Sequence, residues 1–400
     1  MGTKQRIVKG LSAIGLCVLL ASCGSVSQRQ SESQVPDWMK DYPITSGIVR
    51  FKPVGFDELP STDKADWGNA LAAFRISCSA MGNRAVWQQP CAQAQFVNEE
   101  DAYDYFRREF DAYRVGFVDG KNFAETGLTT GYYEPMLRGS LYRHGRFKYP
   151  IYGIPDDLIQ VDLSELHPQL KGLRLRGKIV GRKLVPYDTR SGIEKRVDLK
   201  KNHVLCWVDN AVEAFFLQIQ GSGRILLEDG SFLRVGYGDQ NGHPYKALSN
   251  WLIKNAGLQR SEMSMQRIKR WVQDNPKRTS ELLNTNPNFV FFEKREGFSD
   301  EDGPLGAQGV PLTAGASVAV DRRYWPMGVP FVIDVEQQSP ALAFTRPVIA
   351  QDTGGAIKGV VRFDYFWGYG DLAGEQAGTQ TSKTSAWVLV PKGKTPADLR

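Results

Sequence analysis

The sequence predicts a mainly β fold with helical segments, in which one β-domain is inserted into another domain that also has β-character. Two observations carry this. Along the 400 residues the segment types run helix, β-rich, helix, β-rich. Within the β-rich stretches, short runs of β-branched and aromatic residues are separated by Gly, Asp and Asn, the punctuation of strands and turns.

The first segment stands apart from this body. Lys4, Arg6 and Lys9 form a basic start without an acidic residue, and an apolar run from Ile7 to Leu20 follows. The run is too short for a stable membrane span and has the layout of a secretory signal. It ends in Leu20-Ala21-Ser22-Cys23, which resembles the lipobox of bacterial lipoproteins. That resemblance implies cleavage before Cys23, a lipidated Cys23 and membrane attachment through more than one acyl chain. Gly24, rather than aspartate, follows Cys23, which by the enterobacterial sorting pattern points to the outer membrane, periplasmic face. Ser25 to Pro36 is rich in Ser and Gln, and residues 23–44 read as the lipidated Cys with a flexible tether. Removal of residues 1–22 leaves 378 of the 400 residues and lowers the formal charge from +6 to about +3. That length suits two domains, or one with a large insertion, and without a basic block there is no expectation of nucleic acid.

From about Asp63 to Val115 the pattern is helical. Asn98 to Asp101 make an acidic helix start, and Tyr103, Phe106, Phe110 and Tyr113 follow at helical spacing as a core stripe. Leu128 to Pro135 read as a strand entering a turn. From Leu137 to about Gly238 the strand candidates are Lys148–Tyr152, Val204–Val208, Phe215–Gln220 and Arg224–Leu227. Helical patterning returns at 246–256 and 264–274, with Ser264 as an N-cap and Met265, Ile268, Trp271 and Val272 on one face. The last strand candidates are Phe289–Phe292, Ala316–Val320, Pro330–Val335, Val348–Gln351, Val360–Tyr365 and Ala386–Val390.

Beyond Cys23 the secreted part holds Cys78, Cys91 and Cys206. An oxidising compartment permits a Cys78–Cys91 disulfide, the alternative being two buried thiols. Cys206 reads as a core residue. His144, His167, His203 and His243 are scattered, so no metal site and no cofactor are expected.

The chemistry concentrates near the C-terminus. Asp352-Thr353-Gly354-Gly355 leads through Lys358 to a strand carrying Arg362, Asp364 and Phe366 on one face. A carboxyl on a rigid strand among Phe363, Tyr365, Phe366 and Trp367 is partly desolvated, which raises its pKa. Such a shift keeps a general acid protonated near neutral pH.

Four landmarks then occur in order: the lipobox, Thr129-Thr130-Gly131-Tyr132-Tyr133-Glu134-Pro135, Gln218-Ile219-Gln220-Gly221-Ser222-Gly223, and the aspartate segment. Together they resemble the membrane-bound lytic murein transglycosylase A family, from about residue 45 to 392, and the C-terminal part resembles its "3D" domain, named for three aspartates. These map to Asp321, Asp352 and Asp364. The resemblance implies a double-psi β-barrel (45–137 with 241–400, the 3D domain at about 310–392), an inserted β-barrel (138–240), and a glycan cleft between them. It implies cleavage of the MurNAc–GlcNAc β-1,4 bond without water, leaving 1,6-anhydro-MurNAc, with Asp364 as the single catalytic residue.

One acid suffices if the sugar's own C6 hydroxyl is the nucleophile, because well-oriented intramolecular attack removes roughly 7–11 kcal/mol of entropic and solvent-reorganisation cost. On this reading Asp352 and Asp321 are supporting residues, holding a Gly turn and a loop before Pro326. Thr130, Gly131, Tyr132, Tyr133, Glu134, Gln218, Gln220, Ser222, Gly223, Gly354, Lys358, Arg362 and Trp367 are candidate glycan-binding positions, with Tyr132, Tyr133 and Trp367 offering ring faces. Glycan strands of peptidoglycan and the membrane are the expected partners, with cell-wall synthesis or degradation complexes as further ones. Three rivals stand beside this reading. A muramidase would pair Glu134 with Asp364. A glycan-binding lipoprotein would need neither. An aspartic protease would need a second Asp-Thr-Gly triplet, and this chain has one.

Overall fold

The computed structural model describes residues 44–170, 173, 175–299 and 301–400. The signal, Cys23 and most of the tether lie outside the described residues. The chain begins with β1 (Ile44–Ser46) and β2 (Val49–Val54), continues through α1 (Lys64–Met81), α2 (Gln88–Ala94) and α3 (Ala102–Glu109), and returns to sheet in β3 (Phe110–Asp119), β4 (Asn122–Ala124) and β5 (Thr126–Glu134). The Asp63 carboxylate caps α1 by accepting from the Ala65 amide at 3.0 Å.

The helical reading ran six residues too far. Helix α3 ends at Glu109, and Phe110 and Tyr113 belong to β3. The run from Phe110 to Val118 is rich in β-formers, and its backbone pairs with β2 on one side and the C-terminal strand on the other. The stripe is nevertheless core: Phe106, Phe110 and Tyr113 are buried, and Tyr103 packs edge-on against Trp67 at 5.4 Å. Cys78 of α1 is bonded to Cys91 of α2. Cys206 is buried, which pushes its thiol up to about 12.

The middle of the chain supplies β6 (Met136–Ser140), β7 (Tyr149–Tyr152), β8 (Ile159–Val161), β9 (Leu175–Val180), β10 (Lys183–Pro186), β11 (Val204–Val208), α4 (Ala211–Gln220), β12 (Ser222–Leu226), β13 (Phe232–Gln240), α5 (Leu248–Ala256), α6 (Met265–Asp274) and β14 (Val290–Lys294). Six of these strands form one sheet in the order β14-β13-β12-β6-β11-β7, and a bridge from Gly153 to Phe292 brings its two ends together. Strands β8 to β10 make a separate three-stranded sheet.

Phe215–Gln220, expected as strand, lies in α4. Asn210 caps this helix by accepting from the amides of Val212 and Glu213, and Gly221 ends it with φ 82°. A short apolar run reads equally as strand or buried helix; the Asn and Gly at its ends decide it. Ser264 caps α6 as expected, accepting from Arg267 N at 3.1 Å.

The rest of the chain gives β15 (Ser317–Ala319), β16 (Pro330–Gln337), β17 (Leu342–Asp352), β18 (Arg362–Tyr369), α7 (Gly370–Thr379) and β19 (Thr381–Pro391). The order β19-β16-β17-β15-β18-β5 closes on itself because β5 also pairs with β19. The result is a six-stranded barrel, with β5 parallel to β18 and β15 parallel to β17. Val318, Val332, Ile333, Phe363, Tyr365 and Val388 are among the side chains of its core. The mainly β architecture, with a second barrel set into the first, is that expected from the sequence. Because β13 pairs onward with β14, we propose drawing the inserted unit at 136–294 rather than at 138–240.

Candidate active site

A row of residues crosses the barrel wall at one level. Asp352 of β17 and Asp364 of β18 both register with Ala319 of β15, one on each side, and Asp364 registers in turn with Thr130 of β5. At about 4.8 Å per strand step, the two aspartate backbones stand roughly 10 Å apart.

Strand alternation sorts β18 as expected. Phe363 and Tyr365 fill the barrel core, whereas Arg362, Asp364 and Phe366 lie on the opposite face. There Phe366 joins Tyr132, Leu312, Ala319 and Ile357 in a small apolar cluster beside the carboxyl. Protein surrounds the Asp364 carboxyl, though the residue keeps partial exposure. That desolvation raises its pKa to about 6, against the opposing effects of the Thr130 hydrogen bond and the Arg362 charge and with a small upward push from Asp352.

The Thr130 hydroxyl donates to Asp364 Oδ1 at 2.5 Å and accepts from Arg362 Nη2 at 2.9 Å. A hydroxyl has one hydrogen. With Arg362 occupying its acceptor side, Thr130 presents that hydrogen to Asp364. Oδ1 is thereby committed, and Oδ2 is the oxygen left to carry an exchangeable proton.

Burial raises the pKa of Asp352 as well, although its Oδ1 accepts from the amides of Ala307 (2.9 Å) and Thr353 (2.8 Å). Tyr132 is buried with its hydroxyl free of any hydrogen bond of good geometry, and burial together with the nearby Asp352 and Asp364 holds it neutral. Asp321 serves as a fastening. It is 1% exposed, and its carboxylate accepts from the guanidinium and amide of Arg323 and from the Gly359 amide at 2.8 Å. Burial alone would raise its pKa; those hydrogen bonds outweigh it and hold the carboxyl below its ordinary value. Gly359 has φ 137°, a conformation side chains avoid, so this fastening fixes a sharp bend three residues before β18.

The remaining candidates divide. Gly131 has no room for a side chain: a Cβ would stand 2.7 Å from the Ala377 backbone and from Trp367 Nε1. Trp367 donates to Gln380 at 2.8 Å and packs edge-on against Tyr365, so its ring braces the wall. Tyr133 is buried beneath α7 beside Ala373 and Ala377, and Tyr132 stacks obliquely on Phe366 at 5.2 Å. Neither tyrosine presents the open ring face expected of it, because helix α7 and the β18 aromatics cover them. Gln220 accepts from the Tyr133 amide at 3.1 Å and so ties α4 to β5. Gln218 lies within the inserted unit, where its oxygen accepts from buried Arg190 at 2.6 Å. Ser222 shares a recess with Glu134, Arg234, Phe298 and Leu305. Gly223 is buried in β12, Gly354 lies in the turn after β17, and Lys358 is exposed on the loop that follows.

Glu134 is 1% exposed and held by two arginines, Arg224 at 2.7 Å and Arg234 at 3.4 Å. Both arginines also donate to the Asp302 carbonyl. Glu134 registers with Tyr369, so it stands four β5 residues beyond Thr130, or roughly 13 Å from the level of Asp364. Sequence reading did not single out Arg224 and Arg234. Arg224 directly follows the Gly221-Ser222-Gly223 landmark, and that adjacency was the available signal. Among the described residues no three His, Cys, Asp or Glu side chains converge as a metal site requires.

Comparison with known proteins matches both parts of the fold. Residues 128–293 match the family model "MltA specific insert domain", and residues 316–390 match the "3D domain". The membrane-bound lytic murein transglycosylase A of Escherichia coli K12 is 33% identical over 267 residues, covering 65% of this chain and 64% of that protein. This chain thus spans somewhat less than two thirds of that relative's length. The homolog from Buchnera aphidicola is 30% identical over 290 residues, covering 70% of this chain and 71% of its own. Among solved structures, MltA from Neisseria gonorrhoeae superposes with a TM-score of 0.77 at 35% identity, covering 88% of this chain and 95% of that one. E. coli MltA with bound chitohexaose gives 0.65 at 27% identity, covering 88% and 96%. With both family models matched across the two barrels and similar relatives along most of its length, the chain belongs to the membrane-bound lytic murein transglycosylase A family.

Proposed function

We propose that this chain is a lytic transglycosylase that cleaves the MurNAc–GlcNAc β-1,4 bond of peptidoglycan and leaves 1,6-anhydro-MurNAc ends. The observation that carries the reading is a single carboxyl, Asp364, raised to about 6 by burial and fixed through one oxygen by Thr130. Asp364 donates the proton on Oδ2 to the glycosidic oxygen as the bond to C1 breaks. The C6 hydroxyl of the same sugar then attacks C1, and the Asp364 carboxylate removes its proton. The proton count closes, and no water is consumed. Arg362 and the Thr130 hydroxyl favour the carboxylate between the two steps. The glycan reading is supported by the chitohexaose bound to E. coli MltA.

Glu134 is a poor second carboxylate, because it is buried between two arginines and far along β5 from Asp364. A hydrolase reading is better served by Asp352. Its backbone stands roughly 10 Å from that of Asp364, across the single strand β15, and its carboxyl lies near enough to push the Asp364 pKa upward. Against that, its Oδ1 is already held by two amides, the posture of a residue shaping a turn. The two readings differ by one water in the product, which mass spectrometry of the released muropeptides separates.

We also propose that the protein is anchored at the outer membrane through Cys23, facing the periplasm. The relatives' designation as membrane-bound supports this. Among the described residues no helix is long and apolar enough to cross a membrane. Metabolic labelling with a palmitate analogue, compared between the native chain and Cys23→Ala, tests the anchor.

A further inference from the structure

A concavity of about 490 Å³ lies on the barrel away from Asp364, where α1 meets the segment after β15 and the C-terminus. Its lining includes Arg84, Arg322, Arg323, Arg400, Trp325 and Ala307. Four guanidinium groups border one hollow. Arg84 donates to the Leu399 carbonyl and Arg400 to the Arg323 carbonyl, while Arg323 alone is paired with a side-chain carboxylate, that of Asp321. Arg322 is exposed and forms no ion pair among the described residues. Asp398, two residues before Arg400, accepts from Thr395.

We propose that this hollow is a binding site for a small ligand carrying at least two oxyanions, carboxylate or phosphate, and that its occupancy is felt at Asp364. Forked guanidinium donors match oxyanions bidentately, and the volume falls among those of small-ligand sites. Two walls of the hollow are hydrogen-bonded directly to the segment that carries the site, and a third reaches it through Asp321. Ala307 N donates to Asp352, Trp325 Nε1 donates to the Val360 carbonyl at 2.7 Å, and Arg323 shares the Asp321 carboxylate with the Gly359 amide. An oxyanion drawn to Arg323 competes with Asp321, leaving that carboxylate to bind Gly359 with one partner fewer. Binding in the hollow therefore shifts the bend that leads into β18. The binding does not depend on the reaction proposed above.

The test uses the folded chain lacking residues 1–23, titrated at about 0.15 M salt with citrate and, separately, with inorganic pyrophosphate. Calorimetry reads affinity, and amide NMR reads Gly359. The expected result is saturable one-to-one binding of at least one probe, weakened about 10-fold or more in the Arg322→Gln/Arg400→Gln double variant, with Gly359 shifting along the same saturation curve. Preference for citrate identifies a carboxylate ligand; preference for pyrophosphate identifies a phosphate. Non-saturating binding, or affinity unchanged in a double variant whose thermal unfolding matches the parent, overturns the site. Saturable binding with a motionless Gly359 overturns its connection to Asp364.

Discussion

Thr130 and Asp364 face each other across the parallel strands β5 and β18, and the hydroxyl of the first donates to the carboxyl of the second at 2.5 Å. Strand β5 comes from the beginning of the barrel and β18 from near its end, so the contact forms only when the barrel closes. Thr130→Val removes the donor while keeping the shape of the side chain. The hydrogen bond favours the charged form of Asp364, so its loss raises the pKa above about 6 and moves the high-pH limb of the rate profile upward. The maximal rate falls about 10-fold or more, the worth of one hydrogen bond to a charged group. A pH profile of muropeptide release checks both changes; a limb that stays in place contradicts the assigned role.

Asp364 also makes stability depend on pH. Its folded pKa, about 6, lies above the ordinary aspartate value. The unfolded chain therefore loses this proton first, and stability declines as pH rises from about 4 through about 6. Asp364→Asn removes that cost. The variant should unfold at a higher temperature than the parent at pH 7.5, by a difference on the order of 1–3 kcal/mol, and at a similar temperature at pH 4. Paired melting curves at the two pH values provide the check.

Much of this site was legible in the sequence, and the reason is local. The Asp352-Thr353-Gly354-Gly355 turn and the β18 alternation lie within a few residues of each other, so the shared face of Arg362, Asp364 and Phe366 follows from strand periodicity alone. What lies on either side of Asp364 does not. Ala319 and Thr130 reach it through strand pairing over long separations, and no periodicity reports such partners. Tyr133 and Trp367 resembled sugar platforms because aromatic residues near a carboxylate serve equally as platforms or as packing. Helix α7 and Gln380 decide for packing. The helix of Phe215–Gln220 was hidden by its apolar run and disclosed by its caps.

Glu134 ties β5 to Arg224 and Arg234 of the inserted unit, and we propose that it takes no part in the chemistry. Glu134→Ala leaves Arg224 and Arg234 buried around a lost carboxylate, and should cost about 3–5 kcal/mol of stability. Chemical denaturation measures the loss. Among molecules that remain folded, the maximal rate should stay within a few-fold of the parent; a loss comparable with that of Asp364→Asn would return Glu134 to the catalytic machinery.

The Cys78–Cys91 bond closes a short loop between α1 and α2, with a sequence separation of 13. Loop-closure entropy for a loop of this size corresponds to about 3 kcal/mol. The Cys78→Ser/Cys91→Ser variant should unfold at correspondingly lower denaturant concentration, and reductant should lower the parent but leave the variant unchanged.

The central claim is that Asp364 alone serves as acid and then base. Purified sacculi digested with the chain lacking residues 1–23, and in parallel with its Asp364→Asn variant, test it most directly when the released muropeptides are weighed by mass spectrometry. The account predicts products lighter by one water than hydrolysis products from the parent, and a loss of at least 100-fold in the variant. Reducing ends of full mass from the parent, or anhydro ends from the variant at a comparable rate, would contradict it.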